Sequence, residues 1–192
     1  MAQTEIVERD LKYQGWMTFS VVSVRTAKGA LARREVVGHG RAACVLAYDE
    51  TRKTAMLVRQ LRVPVFVATH EEHLLEAICG MVDDGKAAET AEREAMEEAG
   101  LRLRTLDLVA EVWSSPGILI ERVSLFLATY GHDDRVGEGG GLADEHEDIE
   151  VIEMPLHALA DLADRGGLVD MKTLVLLQTL RVRRPDLFGA GP

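Results

Sequence analysis

Two cysteines, Cys44 and Cys79, are all the thiol in this sequence, and no CxxC pair links them. A disulfide framework or a thiolate metal knuckle is therefore not expected, and both read as small core residues in a reducing compartment. Basic clusters are as scarce: nothing larger than "RVRR" near the end of the chain occurs, against a net charge of −10. A nucleic-acid binder needs a basic face to neutralise phosphates, so nucleic acid is excluded as a partner. Long apolar runs are missing too. Stretches such as "LVLL" are far too short to span a bilayer, so no membrane partner is expected. The first residues, "MAQTEIVERDLKY", lack a basic start followed by an apolar run, so no secretory signal is expected and the location should be cytoplasmic. Internal repeats and low-complexity tracts are absent.

What remains is an ordinary globular composition, 47% hydrophobic and 28% charged over 192 residues. That is enough chain for one sizeable core and a small appendage. "GWMTFSVVSVRTAKGALARREVVGHG" reads as two or three strands interrupted by the turn "AKGA". "AACVLAYDE" and "KTAMLVRQLRV" form a second pair of strands, "HLLEAIC" one short strand, and residues 87–99 a helix. "LDLVAEVWSS" and "RVSLFLATYG" are further strands, followed by a loop over residues 131–149 and the strand "EVIEM". "PLHALADLADRG" is a helix ended by Gly166 and Gly167, and "DMKTLVLLQTLRVRR" is a closing helix capped by Asp170. The pattern predicts a mixed α/β (α+β) sandwich over residues 41–192 with a small antiparallel β-sheet over residues 1–40.

The helix from Ala87 to Ala99 carries Ala88, Ala91, Ala95 and Ala99 as a narrow apolar stripe. Glu94 and Glu98 lie one turn apart on a single face, with Glu97 beside them. Arg93 stands four residues from both Glu89 and Glu97, whereas Glu94 and Glu98 have no counter-charge at helical spacing. Spacing leaves two readings open: a solvated Ala/Glu helix, or a site for a hard cation, which takes carboxylate oxygens, waters and substrate phosphate.

"REAMEEAGL", residues 93–101, resembles the second half of the Nudix box, and Gly80 resembles the glycine that opens it. The box is one residue short, and Lys86 stands where its first glutamate usually falls. A box compressed in the same place marks the Nudix hydrolases of GDP-mannose. "RREV", "VRQLRV", "EAICGMVD", "SSPGILIE", "GGGLADEHEDIEVIEMP" and "DMKTLVLLQTL" are similar to that subfamily in the same order.

The resemblance implies an α/β/α Nudix sandwich and cleavage of the diphosphate of a nucleoside diphosphate sugar with Mg²⁺, or Mn²⁺ in its place. GDP-mannose would yield GMP and mannose 1-phosphate. ADP-ribose is the alternative substrate, and a nucleotide-binding module without turnover is the alternative class. It implies metal ligation by Glu94, Glu98, Glu147 and the backbone carbonyl of Cys79. Arg93 would orient the carboxylates, and Glu147 or Glu97 would act as general base. The resemblance favours phosphate or nucleotide contact for Arg62, the structural alternative being an ion pair with Glu76. Glu121, Lys172, Arg34 and Glu35 become substrate contacts. Trp16 would stack on a purine or serve in the core. Residues 1–40 are too few to bury their own β-face, so a homodimer with these strands exchanged or docked onto the partner is expected, and the resemblance implies composite active sites at its interface.

Overall fold

The computed structural model describes residues 2–83, 85–142 and 148–189, which divide into two compact units. The first holds the residues up to Arg41 and, from further along the chain, Val112–Val123. Its strands β1 (Glu5–Gln14), β2 (Thr18–Arg25) and β3 (Leu31–Gly38) form an antiparallel sheet in the order β1-β2-β3. Residues 112–123 join it because Val37 donates to the Ile118 carbonyl at 2.9 Å and accepts from the Ile120 amide at 3.0 Å.

Strand β1 departs from the sequence reading, which placed no element before Gly15. Its pairing with β2 slips between Ile6 and Glu8 and again between Leu11 and Tyr13. Each slip adds a residue and breaks the two-residue alternation by which strands are recognised. Ile6, Val7, Leu11 and Tyr13 are left exposed along it.

The second unit holds Ala42–Glu111 and the residues from Ser124 onward. Its strands are β4 (Arg41–Asp49), β5 (Thr54–Leu61), β6 (His73–Glu76), β7 (Ile78–Val82), β8 (Thr105–Trp113), β9 (Arg122–Thr129) and β10 (Glu150–Pro155). They form one seven-stranded sheet with the path β10-β5-β4-β9-β8; β6 pairs with β5 and β7 with β4. "HLLEAIC" is thus two strands rather than one, because Ala77 turns the chain from one partner strand to the other. Helices are α1 (Val63–Thr69), α2 (Ala87–Ala99), α3 (Leu156–Asp164) and α4 (Met171–Arg183). Helix α1 was not anticipated, since Pro64 in a short β-branched stretch masks it.

β4 is buried along nearly its whole length. Ala43, Val45 and Ala47 join Ile78, Val82 and Phe126 in one cluster with Ala91, Ala95 and Ala99, so the alanine stripe of α2 is the face laid on the sheet. Side chains alternate across a strand, so Cys44 and Leu46 face the other side, toward α4. Leu156, Leu159, Leu176, Leu177 and Leu180 of α3 and α4 are fully buried as well. α2 ends where the sequence says it should. Gly100 adopts φ +62°, its amide bonds the Met96 carbonyl, and the Leu101 amide bonds that of Ala95, so the left-handed glycine closes the helix end. Among the described residues, no helix is long and apolar enough to cross a membrane.

Candidate active site

The alanine stripe pins α2 against β7 and thereby turns Glu94 and Glu98 toward that strand. Glu98 is 2% exposed, and its Oε2 accepts the Cys79 amide at 3.2 Å. In an extended strand a residue's N–H and C=O point to the same side, so the Cys79 carbonyl is directed the way its amide is. Burial first, and then the charges of Glu94 and Cys79, push the Glu98 carboxyl up to about 9, against the opposing bond from the Cys79 amide. Without a cation Glu98 therefore holds its proton at neutral pH.

Glu94 sits over Gly80, where a methyl group would fall 1.8 Å from Glu94 Oε1. Glycine at that position is needed for space. Here the sequence reading is corrected: Glu94 does have a counter-charge. Arg93 spans two carboxylates, donating from Nη2 to Glu94 Oε1 at 2.7 Å and from Nη1 to Glu97 Oε2. The fork of the guanidinium allows a contact with the next residue that helical spacing does not advertise. Glu89 pairs instead with Lys86, at 3.5 Å.

Residues 131–149 are not merely a loop. Gly139, Gly140 and Gly141 all adopt positive φ, and the amides of Gly140 and Gly141 donate to the carbonyls of Glu98 and Glu97 at 2.9 and 3.1 Å. The glycine run caps the end of α2 behind two of the site's glutamates. Glu147, the third expected metal-binding carboxylate, lies outside the described residues, as do Glu145 and His146.

A second group is built on Glu76, a buried carboxylate in "LLEAI". Its Oε1 accepts from Arg62 Nε at 2.6 Å, and its Oε2 lies 3.5 Å from Lys172 Nζ. Lys172 also donates to Asp170 Oδ1 at 2.7 Å. Asp170 Oδ2 accepts both the amide and the hydroxyl of Thr173, which makes it the expected cap of α4. Thr173 Oγ1 in turn accepts the Ala77 amide at 2.7 Å, tying α4 to the end of β6. Burial opposes ionisation of Asp170, but Lys172 and Thr173 outweigh it and hold the carboxyl below its ordinary value. The N-terminal dipole of α4, unfavourable for Lys172, is thus offset by the cap beside it. Both readings of Arg62 remain compatible with this geometry. The Glu76 pair forms, and among the described residues it takes only Nε.

Trp16, Arg34, Glu35 and Glu121 belong to the first unit. Trp16 is 79% exposed, with its ring edge-on to His39 at 4.2 Å, which excludes a core role in the chain described. His39 Nδ1 lies 3.7 Å from Glu121 Oε1, too far for a hydrogen bond, and is buried without a hydrogen-bond partner among the described residues. Arg34 and Glu35 are exposed on β3, with Arg34 Nη1 donating to the Arg33 carbonyl at 2.8 Å.

A buried carboxylate beside a second one, served by a strand amide and reached over a glycine, is a set of hard oxygen donors that suits a hard divalent cation. Among the described residues no three candidate ligands converge, so Glu94 and Glu98 form a partial set. Residues 38–174 match the NUDIX domain. The chain belongs to the Nudix family. Among its relatives, a GDP-mannose pyrophosphatase of Cronobacter sakazakii is 39% identical over 152 residues, 79% of this chain and 78% of that protein. One of Pectobacterium atrosepticum is 35% identical over 184 residues, 93% and 94% of the two chains. A crystal structure of an ADP compounds hydrolase superposes with a TM-score of 0.78 at 18% identity, covering 96% of this chain and 95% of that one. At that identity the likeness shows the Nudix fold.

Sequence reasoning raised the Arg62–Glu76 pair but missed the glycine cap on α2 and the place of Lys172 beside Glu76. The signal for Glu76 was present: an acid inside an apolar strand needs a partner.

Proposed function

We propose that this Nudix chain hydrolyses the diphosphate of a nucleoside diphosphate sugar, with GDP-mannose giving GMP and mannose 1-phosphate. The observation that carries this reading is the match to GDP-mannose pyrophosphatases along nearly the whole chain, at 35% identity over 93% of it. A divalent cation, Mg²⁺ or Mn²⁺, would be held by Glu94, Glu98, Glu147 and the Cys79 carbonyl. When bound, it neutralises diphosphate charge and makes water more acidic. Loading the site requires Glu98 to give up its proton, which a nearby cation favours.

The protein's own part is positioning and electrostatics. Arg93 holds Glu94 and Glu97 in place. Arg62 and Lys172 meet the diphosphate oxygens. Glu147 or Glu97 takes a proton from the attacking water, whose oxygen bonds to one phosphorus while the bridging P–O bond breaks toward the other. Trp16, Arg34, Glu35 and Glu121 are the proposed contacts for the rest of the nucleotide sugar. The chain acts as a homodimer, with the exposed apolar residues of β1 covered by a second copy.

The test is a panel of nucleoside diphosphate sugars with Mg²⁺, scored by phosphate released after coupling to a phosphatase. GDP-mannose should give the highest kcat/KM. A preference for ADP-ribose by about tenfold, roughly 1.4 kcal/mol of barrier, reverses the substrate order. Tight nucleotide binding with no Mg²⁺-dependent turnover makes the chain a binding module instead.

A further inference from the structure

Glu76 is 1% exposed at the end of β6, among the most buried charged side chains of the second unit. Its two oxygens are used on two different cations: Oε1 on Arg62 at 2.6 Å and Oε2 on Lys172 at 3.5 Å. Those cations come from separate elements, Arg62 from the cap of α1 and Lys172 from the first turn of α4. With Asp170 on Lys172, the group holds two carboxylates and two cations, so burial leaves no net charge uncompensated. The exposure is lopsided. Glu76 is sealed, whereas the side chains of Arg62 and Lys172 are 38% and 22% exposed. The carboxylate thus occupies the floor, and the guanidinium, bonded through Nε, keeps its terminal nitrogens available.

We propose that Glu76 is a positioning residue that holds Arg62 and Lys172 together as a preformed double cation for the substrate diphosphate. It contacts neither substrate nor metal. The proposal rests on the reading of Arg62 and Lys172 as diphosphate contacts given above. Arg and Lys side chains both lose much rotamer freedom when they are immobilised. Ordering both before binding removes that cost from the binding step. Neutral glutamine could not do the same work, because its amide offers one acceptor and turns a donor toward the other cation.

The test is Glu76→Gln in the full-length enzyme, alone and combined with Arg62→Ala plus Lys172→Met. Glu76→Gln is expected to raise KM for GDP-mannose by about tenfold while kcat changes by less than about threefold, the pattern of lost binding. The Mg²⁺ concentration for half-maximal rate should not rise. In the background lacking both cations, Glu76→Gln should add nothing further, because a residue that acts through others is not additive with them. An equal further loss there, or a fall in kcat with KM unchanged, overturns the proposal.

If Glu76→Gln does not fold, Glu76→Asp keeps the charge and shortens the reach, and it should show the same KM rise at smaller size. An Asp variant with wild-type KM also overturns it. GDP affinity by calorimetry separates this claim from the activity itself. GDP bound about tenfold more weakly by Glu76→Gln supports the clamp even where no nucleoside diphosphate sugar is turned over. Unchanged GDP affinity counts against the clamp even in an active enzyme.

Discussion

The carboxylate of Glu94 lies directly over the α-carbon of Gly80, so that a methyl group there would fall 1.8 Å from Oε1 and 2.0 Å from Cδ. Gly80→Ala must therefore push Glu94 aside and loosen its bond to Arg93. The fold should survive, because Glu94 is a side chain that can turn away. Half-saturating Mg²⁺ should rise by about tenfold or more, the usual cost of disturbing a ligand's support. A Mg²⁺ titration of turnover checks this, and an unchanged midpoint would show that Glu94 is not a ligand.

Glu98 makes the metal-free protein sensitive to pH. Its carboxyl is held at about 9 in the fold against an ordinary value of 4.5. The folded state keeps this proton longer than the unfolded chain does. Its contribution is therefore complete below pH 4.5 and is lost as the pH rises toward 9. Asp49, Glu153 and Asp170 are held below their ordinary values, so their contribution fades only in acid, outside that window. In EDTA the Tm should fall between about pH 5 and pH 9. Glu98→Gln should flatten that fall, and Mg²⁺ should raise the wild-type Tm most at the alkaline end. Identical Tm profiles for the two proteins in EDTA would refute the assignment.

The glycine run on α2 is a structural requirement. Gly139 has φ +74°, and a methyl group on it would fall 2.4 Å from the Glu98 carbonyl. Gly139→Ala combines backbone strain of about 1–3 kcal/mol with that clash. Tm should drop by roughly 2–4 °C for each kcal/mol, and turnover should fall because the segment leading to Glu147 loses its anchor. Full activity in a folded Gly139→Ala protein would separate the glycine cap from the site.

Leu11 and Tyr13 are exposed on β1 beside Ile6 and Val7. A strand with so much apolar surface needs a cover, and the proposed second copy would supply one. Light scattering at micromolar concentration should give a dimeric mass, and Leu11→Glu with Tyr13→Glu should give a monomer with reduced activity. A wild-type monomer with full activity contradicts this.

What could be read in the sequence was local. The alanine stripe, the Gly100 stop and the Asp170 cap each depend on neighbours within one or two turns, and each stands in the structure as spaced. The Arg93–Glu94 pair escaped helical counting because a long fork can reach sideways. The Glu76 clamp joins β6, α1 and α4, and the Gly140–Glu98 bond joins a loop to a helix end; no spacing encodes either. β1 was hidden by its own bulges. The Nudix box pointed to candidate carboxylates without showing that one of them is a buried acid bonded to the Cys79 amide.

Glu98→Gln tests the account most directly, because it keeps shape, replaces a buried acid by its neutral counterpart and touches nothing else. Lys86→Glu serves as its control. Lys86 is exposed and paired with Glu89, so restoring acid there should change kcat by less than about tenfold, or 1.4 kcal/mol. With GDP-mannose and Mg²⁺ raised to saturation, Glu98→Gln should lose turnover by orders of magnitude, while its metal-free Tm at neutral pH should hold or rise above wild type. A rate near wild type at saturating Mg²⁺ would mean that Glu98 holds no metal and that the metal centre lies elsewhere.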